Sequence, residues 1–359
     1  MTAAATADRR ARVAASLPEG LDALLVTNLV NVRYLSGFTG SNGALLLTRA
    51  GDATFATDGR YVTQAAAEVP DLEVLETRAV GPALVEAAGR QGVRRLGIET
   101  EHVTVAVQAR LAAVDGAPEL VACRPVVEPL RAAKDEAELA ALTQACAITD
   151  AAFATAVASL RPGVTERDVA WTLQSAMHDH GAEAPAFDSI VAFGGHSAIP
   201  HHQPTDRPLR PGDLVKLDFG ARYAGYHADM TRTVAVAPVA DWQRDLHALV
   251  HDIQQRCRDR TVHGAAPAAL DSYARELITD AGHQPAHGLG HGVGLEIHES
   301  PFLTPGSAAD TLADRVPVTV EPGVYLPGRG GVRIEDTVVV RLAATECLTA
   351  STRDLIEIS

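Results

Sequence analysis

Aromatic residues are scarce in this chain, 4% of 359, and alanine replaces larger core residues along many helical stretches. Lysine is almost absent: Lys134 and Lys216 are the only two, and every other basic residue is arginine. With the alanine bias, this pattern points to GC-rich coding and to no particular function. Positive charge is short overall. The formal net charge of −14 argues against nucleic acid as a partner, because phosphates reward a basic face. The four cysteines, Cys123, Cys146, Cys257 and Cys347, are far apart and form no CxxC pair. That spacing excludes a disulfide framework or a zinc knuckle and leaves buried free thiols as the expectation. Long apolar runs are missing too. Nowhere do about 18 apolar residues follow one another, and the first twenty residues hold no continuous apolar stretch of the signal-peptide kind. A cytoplasmic protein with no membrane partner is expected. The rest of the composition, 47% hydrophobic and 21% charged, is that of an ordinary globular chain, long enough for two domains or one large one.

Short apolar runs bounded by turn residues mark strands in the first third: Leu24–Val26, Ala44–Leu47, Thr54–Thr57 and Leu96–Glu99. Helical stretches lie between them, near 61–68 and 83–91, and this alternation predicts a small layered α/β domain. The loop Phe38–Gly43 is glycine-rich but lacks the GxGxxG spacing of a phosphate cradle, so it reads as a connection that borders a site. Pro125–Pro129 marks a boundary. From Lys134 an apolar period of three and four residues (Leu139, Leu142, Cys146, Thr149) predicts a helix that Arg161-Pro162-Gly163 stops. Thr165 and Asp168 form a capping box opening a second helix, with Val169, Leu173 and Met177 as its apolar stripe. Two further helices are expected near 241–259 and 268–281.

Chemistry concentrates in the last 142 positions, in five glycine-punctuated, β-favouring strings: KLDFG (216–220), YHADMTRT (226–233), GLGHGVGLEIHE (288–299), TVEPGVY (319–325) and GVRIEDTVV (331–339). They form two predicted hairpins. Strand alternation puts Lys216 and Asp218 on one face, with Asp229, Thr231 and Thr233 sharing a face of the partner strand. A register opposing Asp218 to Asp229 would bring the two carboxylates together. In the second hairpin, 319–325 pairs with 331–340, placing Glu321 opposite the common face of Arg333 and Glu335. Four acids converging among Val, Leu, Ile and Phe would repel one another unless cations compensated them. Surface salt bridges fit that setting poorly, because the strands read as buried. The nitrogen chemistry comes from His287, His291 and His298, set among glycines that allow close backbone approach. One histidine alone would be an ordinary satisfied side chain; three among alternating glycines point to a site. His291 is the expected ligand. His287 and His298 are expected as donors to a substrate carbonyl, and one of His201 and His202 as a pocket wall. His178, His180, His247 and His251 fall in helical patterns and are expected to be solvated. Oxygen donors with one imidazole suit a pair of divalent metals, and two such metals can hold a hydroxide and attack an amide.

These strings, with HGVGLEIHE, VEPG and RIED in order, resemble those of the pita-bread metallopeptidases: methionine aminopeptidase, aminopeptidase P and prolidase. The resemblance is strong over 134–359. Residues 1–125 resemble more weakly the N-terminal domain of aminopeptidase P, prolidase and creatinase, which methionine aminopeptidases generally lack. The implied fold is an N-terminal creatinase-like α/β domain (1–125) followed by an α+β, pseudo-twofold pita-bread catalytic domain (134–359). The resemblance further implies two divalent ions, manganese first, with cobalt or zinc as alternatives. Asp218 would chelate one, His291 and Glu321 the other, and Asp229 and Glu335 both. Glu321 would shuttle a proton and His298 would steady the oxyanion. His201 and His287 would line the proline pocket, while Arg333 would pair with the metal-site acids. A homodimer cleaving the Xaa-Pro bond of peptides is the implied protein. Creatinase lacks the complete ligand set, and a binding protein on a retired peptidase fold would show lost ligands; none is lost here. Aminopeptidase P and prolidase differ in whether a cation must hold a free proline carboxylate. The uncharged loop at Gly37–Gly43 favours the aminopeptidase.

Overall fold

The computed structural model describes residues 2–359, which divide into two compact units, the first ending at Arg131 and the second covering 132–359. In the first unit, six strands form one mixed sheet in the order Glu73–Glu76, Ala53–Thr57, Gly43–Thr48, Ala23–Val26, Arg95–Glu99, Glu119–Cys123. All four strands read from the sequence lie in it. Its core is aliphatic, with Leu25, Leu46, Leu96 and Ile98 of the sheet packed with Leu84, Val85 and Ala88 of the helix Val80–Arg90. The loop at 37–43 is held locally: Thr39 donates to Glu68, and Asn42 donates to Asp58.

The second unit is built from two similar layers of a helix pair on a sheet. The helices Glu136–Ser159 and Glu166–Asp179 cover the four-stranded sheet Glu357–Ile358, Met230–Val236, Leu214–Phe219, Ile190–Phe193. Phe153, Leu173 and Met177 meet Val191, Leu217 and Phe219 there. The helices Asp241–Arg260 and Pro267–Asp280 cover the five-stranded sheet Glu299–Leu303, Gly290–Gly292, Val316–Val320, Asp336–Val340, Glu346–Cys347, with Val250, Ile253 and Leu270 against Val318 and Val338. Thr165 and Asp168 make the expected reciprocal cap. The helix Glu136–Ser159 is long and apolar enough to cross a membrane by composition. Here it is a core helix, with Leu142, Cys146 and Phe153 buried.

Alternation on Leu214–Phe219 is as the sequence predicts: Val215, Leu217 and Phe219 enter one core, while Lys216 and Asp218 face the other way. The hairpin registers differ from expectation. Asp218 pairs with Thr231, not with Asp229. Residues 221–223 and 226–227 form their own short ladder, and Asp229 falls in the break between it and Met230–Val236. The break follows from close approach, since a Cβ on Gly220 would lie 1.7 Å from the Ala228 carbonyl oxygen. The second hairpin is likewise two ladders: Val320 pairs with Asp336, and Gly323 pairs with Arg333. Glu321 with Pro322, and Ile334 with Glu335, occupy the gap, because proline cannot donate to a ladder.

Two smaller expectations also change. Three cysteines are buried, but Cys347 is exposed. His247 is 4% exposed, because it lies on the apolar stripe of its helix with Val250 and Leu246.

Candidate active site

Those ladder breaks have a chemical consequence. A residue in a regular strand presents its side chain perpendicular to the sheet, whereas a break re-aims it. Asp229, Glu321 and Glu335 all sit at breaks, and they converge with Asp218 and His291 on one cavity of about 290 Å³. Nε2 of His291 lies 3.5 Å from Asp229 Oδ2 and 3.5 Å from Glu321 Oε1. One atom each of Asp229, His291 and Glu335 fall within 4.8 Å of one another. Glycine allows His291 to reach this point, since a Cβ at Gly290 would lie 2.0 Å from the Thr319 carbonyl oxygen. The His291 N–H donates to Thr319 Oγ1 at 3.0 Å, and its Nδ1 meets the Gly292 carbonyl at 3.0 Å, which directs Nε2 to the acids.

The charges do not balance. Asp218, Asp229 and Glu335 are buried, and the Glu321 side chain is 17% exposed. Arg333 pairs with Asp218 and is the only guanidinium among the described residues that line the cavity. Burial raises the proton affinity of Asp229, Glu321 and Glu335; the Asp218 charge raises all three further, Asp229 adds to Glu321 and Glu335, and Glu321 adds to Glu335. Burial disfavours charge on His291, but its hydrogen bond to Asp229 and the nearby Glu321 charge prevail, lifting it to about 9. Glu335 Oε2 accepts from Thr231 at 2.7 Å, whereas its buried Oε1 has no hydrogen-bond partner among the described residues. An orphan carboxylate oxygen amid excess negative charge is what a cation site leaves when its cation is left out. The donor set fits divalent metal.

A second cluster shows the contrast. Glu166 accepts from His196 Nδ1, His202 Nε2 and the Phe193 and Thr205 N–H groups, all at 2.9 Å, and from the Thr205 hydroxyl at 2.6 Å. Burial raises its pKa, but the bonds from the Thr205 hydroxyl, His202 and the Phe193 and Thr205 N–H groups outweigh burial and bring it down to about 2. Its charge is fully met by protein donors, so it braces the loop 193–205 and needs no ion. Of the pair anticipated at 201–202, His201 lines the metal cavity and His202 turns to Glu166.

His298 and His201 are exposed at the cavity wall, and the His298 ring lies 4.3 Å from that of His291. Partial desolvation of its ring at the cavity wall, with the positive potential of His291 and His201, takes His298 down to about 4. His287 does not join the cavity. Its Nδ1 meets the Gly288 carbonyl at 2.8 Å and its Nε2 the Tyr325 hydroxyl at 2.9 Å. With both nitrogens engaged it stands behind the site, where Arg333 donates to Tyr325 at 2.7 Å. Lys216 donates to the carbonyls of Ile199 (2.6 Å) and Pro200 (3.0 Å), and desolvation takes it to about 6. Sequence reasoning did not single out Tyr325, Glu166, Phe187, Asp188 or Gln203. Only the Thr165–Asp168 cap, next to Glu166, hinted at that region.

Comparison with known proteins decides the family. The profile of metallopeptidase family M24 matches residues 140–341, and that of the creatinase/prolidase N-terminal domain matches 9–133. This chain belongs to metallopeptidase family M24. It is 39% identical over 344 residues to the uncharacterized peptidase YqhT of Bacillus subtilis, covering 94% of this chain and 96% of that one. Among solved structures, the Xaa-Pro dipeptidase from Bacillus anthracis superposes with a TM-score of 0.94 at 36% identity, covering 98% of this chain and 100% of the other. The X-Pro aminopeptidase from Thermotoga maritima gives 0.87 at 35% identity, covering 94% and 98%. The M24 unit therefore has the pita-bread fold behind a creatinase-type N-terminal domain, and the chain is a metallopeptidase.

Proposed function

We propose that this metallopeptidase releases the N-terminal residue from peptides whose second residue is proline, and that it accepts substrates longer than a dipeptide. The carrying observation is the state of Arg333. Among the described residues it is the only Lys or Arg side chain lining the metal cavity, and it is committed. It pairs with Asp218, donates to Thr231 and Tyr325 at 3.0 and 2.7 Å, and reaches the Pro200 carbonyl at 3.3 Å. No cation is left in that wall to hold the free carboxylate of an Xaa-Pro dipeptide. An uncharged continuation of the chain suits the wall better.

Asp218 would hold one metal, His291 and Glu321 the other, and Asp229 and Glu335 both. Four carboxylates and one imidazole suit manganese, with cobalt and zinc as alternatives. Bound there, the metals would supply Lewis acidity to the scissile carbonyl and activate a water. The chain's residues would do the rest. Glu321, whose proton affinity burial raises, carries a proton towards the proline nitrogen, a tertiary amide nitrogen that must gain one to leave. His298, neutral near pH 7, donates to the carbonyl oxygen as charge develops. His201 walls the proline ring. His287 acts at one remove, through Tyr325 on Arg333.

The dipeptidase reading stays in view because the Bacillus anthracis relative carries that name. Hydrolysis of Ala-Pro beside Ala-Pro-Ala by the manganese-loaded protein separates the two. Faster release of alanine from the tripeptide supports the aminopeptidase; activity confined to the dipeptide overturns it.

A further inference from the structure

A second recess, of about 300 Å³, opens off the metal cavity and shares Phe187, Asp188 and Gln203 with it. One wall is a single face of the helix Glu166–Asp179, because Arg167, Ala170, Trp171 and Gln174 recur at helical spacing. The opposite face of that helix, with Val169, Leu173 and Met177, is in the core. Trp171 is 67% exposed, a large apolar surface with no ring partner among the described residues. Asp188 stands at the junction of the two cavities, exposed, with no hydrogen bond or ion pair to any described residue. Arg167, the one Lys or Arg among the described residues of the recess, donates to both carboxylate oxygens of Asp206 at 2.7 Å.

An indole face and an unpaired carboxylate in one open recess recognise a cation on a long apolar stem. We propose that this recess takes the side chain of the substrate's first residue and selects arginine or lysine there. The assignment rests on the proposed function. With His201 and His298 on the proline side, the Phe187–Ile190 wall is left to the residue before proline, and the recess opens beside Phe187. The guanidinium or ammonium stacks on Trp171 and meets Asp188. Gln174 and Gln203 offer amide contacts to its flank. An exposed ion pair and an exposed cation–π contact are each small. Together they give a preference of about tenfold over an uncharged side chain of equal length, and salt weakens it.

The test compares Arg-Pro-Ala with citrulline-Pro-Ala, whose side chain is uncharged and of equal length, in the manganese-loaded enzyme. The ratio of their kcat/KM values is expected to be about ten at low ionic strength. It should shrink with added salt and collapse towards one in the double variant Asp188→Asn, Trp171→Ala. A ratio near one in the parent protein, or a ratio that the variant leaves unchanged, overturns the proposal. So does an equal loss on both peptides, which would place Asp188 on the α-ammonium group that both share. A second readout does not depend on turnover: tryptophan fluorescence of the metal-free protein titrated with each peptide. A protein that hydrolyses neither peptide but binds Arg-Pro-Ala more tightly sinks the peptidase reading and keeps the recess. Equal binding sinks the recess.

Discussion

Asp218 faces Thr231 across its hairpin, and the Thr231 hydroxyl joins the two sides of the site. It donates to Glu335 Oε2 at 2.7 Å and accepts from Arg333 Nε at 3.0 Å. Thr231→Val keeps the shape and removes both bonds. Metal affinity should fall roughly 10- to 100-fold, the usual cost of losing a group that orients ligands, whereas Thr231→Ser should keep most of it. Competition against a chelator of known affinity reads this directly. Equal affinity in the valine variant would show that Glu335 holds its place without help.

Arg333 is 2% exposed and touches Asp218, Thr231, Tyr325 and Pro200. Arg333→Met leaves Asp218 buried and unpaired, so folding stability should drop by about 3–5 kcal/mol. Lysine cannot span four partners from one ammonium, so Arg333→Lys should recover only part of that loss. Urea unfolding of the metal-free proteins checks both.

Glu166 receives five hydrogen bonds from the loop that carries His201. Glu166→Gln puts an amide N–H against donors already pointing at it. A stability loss of about 3 kcal/mol follows from losing charge-assisted bonds, together with a fall in kcat/KM and metal content unchanged. Thermal melts beside metal analysis would reveal it; lost metal with intact stability would contradict the bracing role.

His247 sets a pH dependence. Burial, with His251 nearby, lowers its pKa from 6.5 to about 4, so the folded protein keeps it neutral while the unfolded chain takes up a proton. Stability is therefore full above about pH 6.5 and is lost as pH falls towards about 4, by up to about 3 kcal/mol. His247→Gln should flatten that part of the stability profile, measured by urea unfolding between pH 7 and pH 5. An unchanged slope would assign the loss to other groups.

Much of this was legible in the residues. Asp218, Asp229, His291, Glu321 and Glu335 converge on one cavity; the helix at 166–179 begins where its cap says, and the helix at 136–159 begins two residues after the Lys134 start that its apolar period suggests. The registers were not legible. A period of two reports which face a residue takes, but not where a ladder breaks, and the breaks at 228–229, 321–322 and 334–335 are what aim three of the acids. Pro322 was the one visible sign. His202 and His287 read like His201 and His298 in sequence. They diverge because Glu166 and Tyr325, distant in the chain, capture their ring nitrogens. His247 read as solvated because its neighbours on the helix are mostly polar, and only packing shows which stripe is buried.

The measurement closest to the central claim is manganese titration of the metal-free protein, followed by electron paramagnetic resonance and by activity on Ala-Pro-Ala. Two ions per chain are expected, spin-coupled through shared carboxylates, with activity appearing as the pair fills. The coupling should be lost in Glu335→Ala. A chain that binds no manganese, or two ions without coupling in the parent protein, would contradict the dinuclear site built by Asp218, Asp229, His291, Glu321 and Glu335.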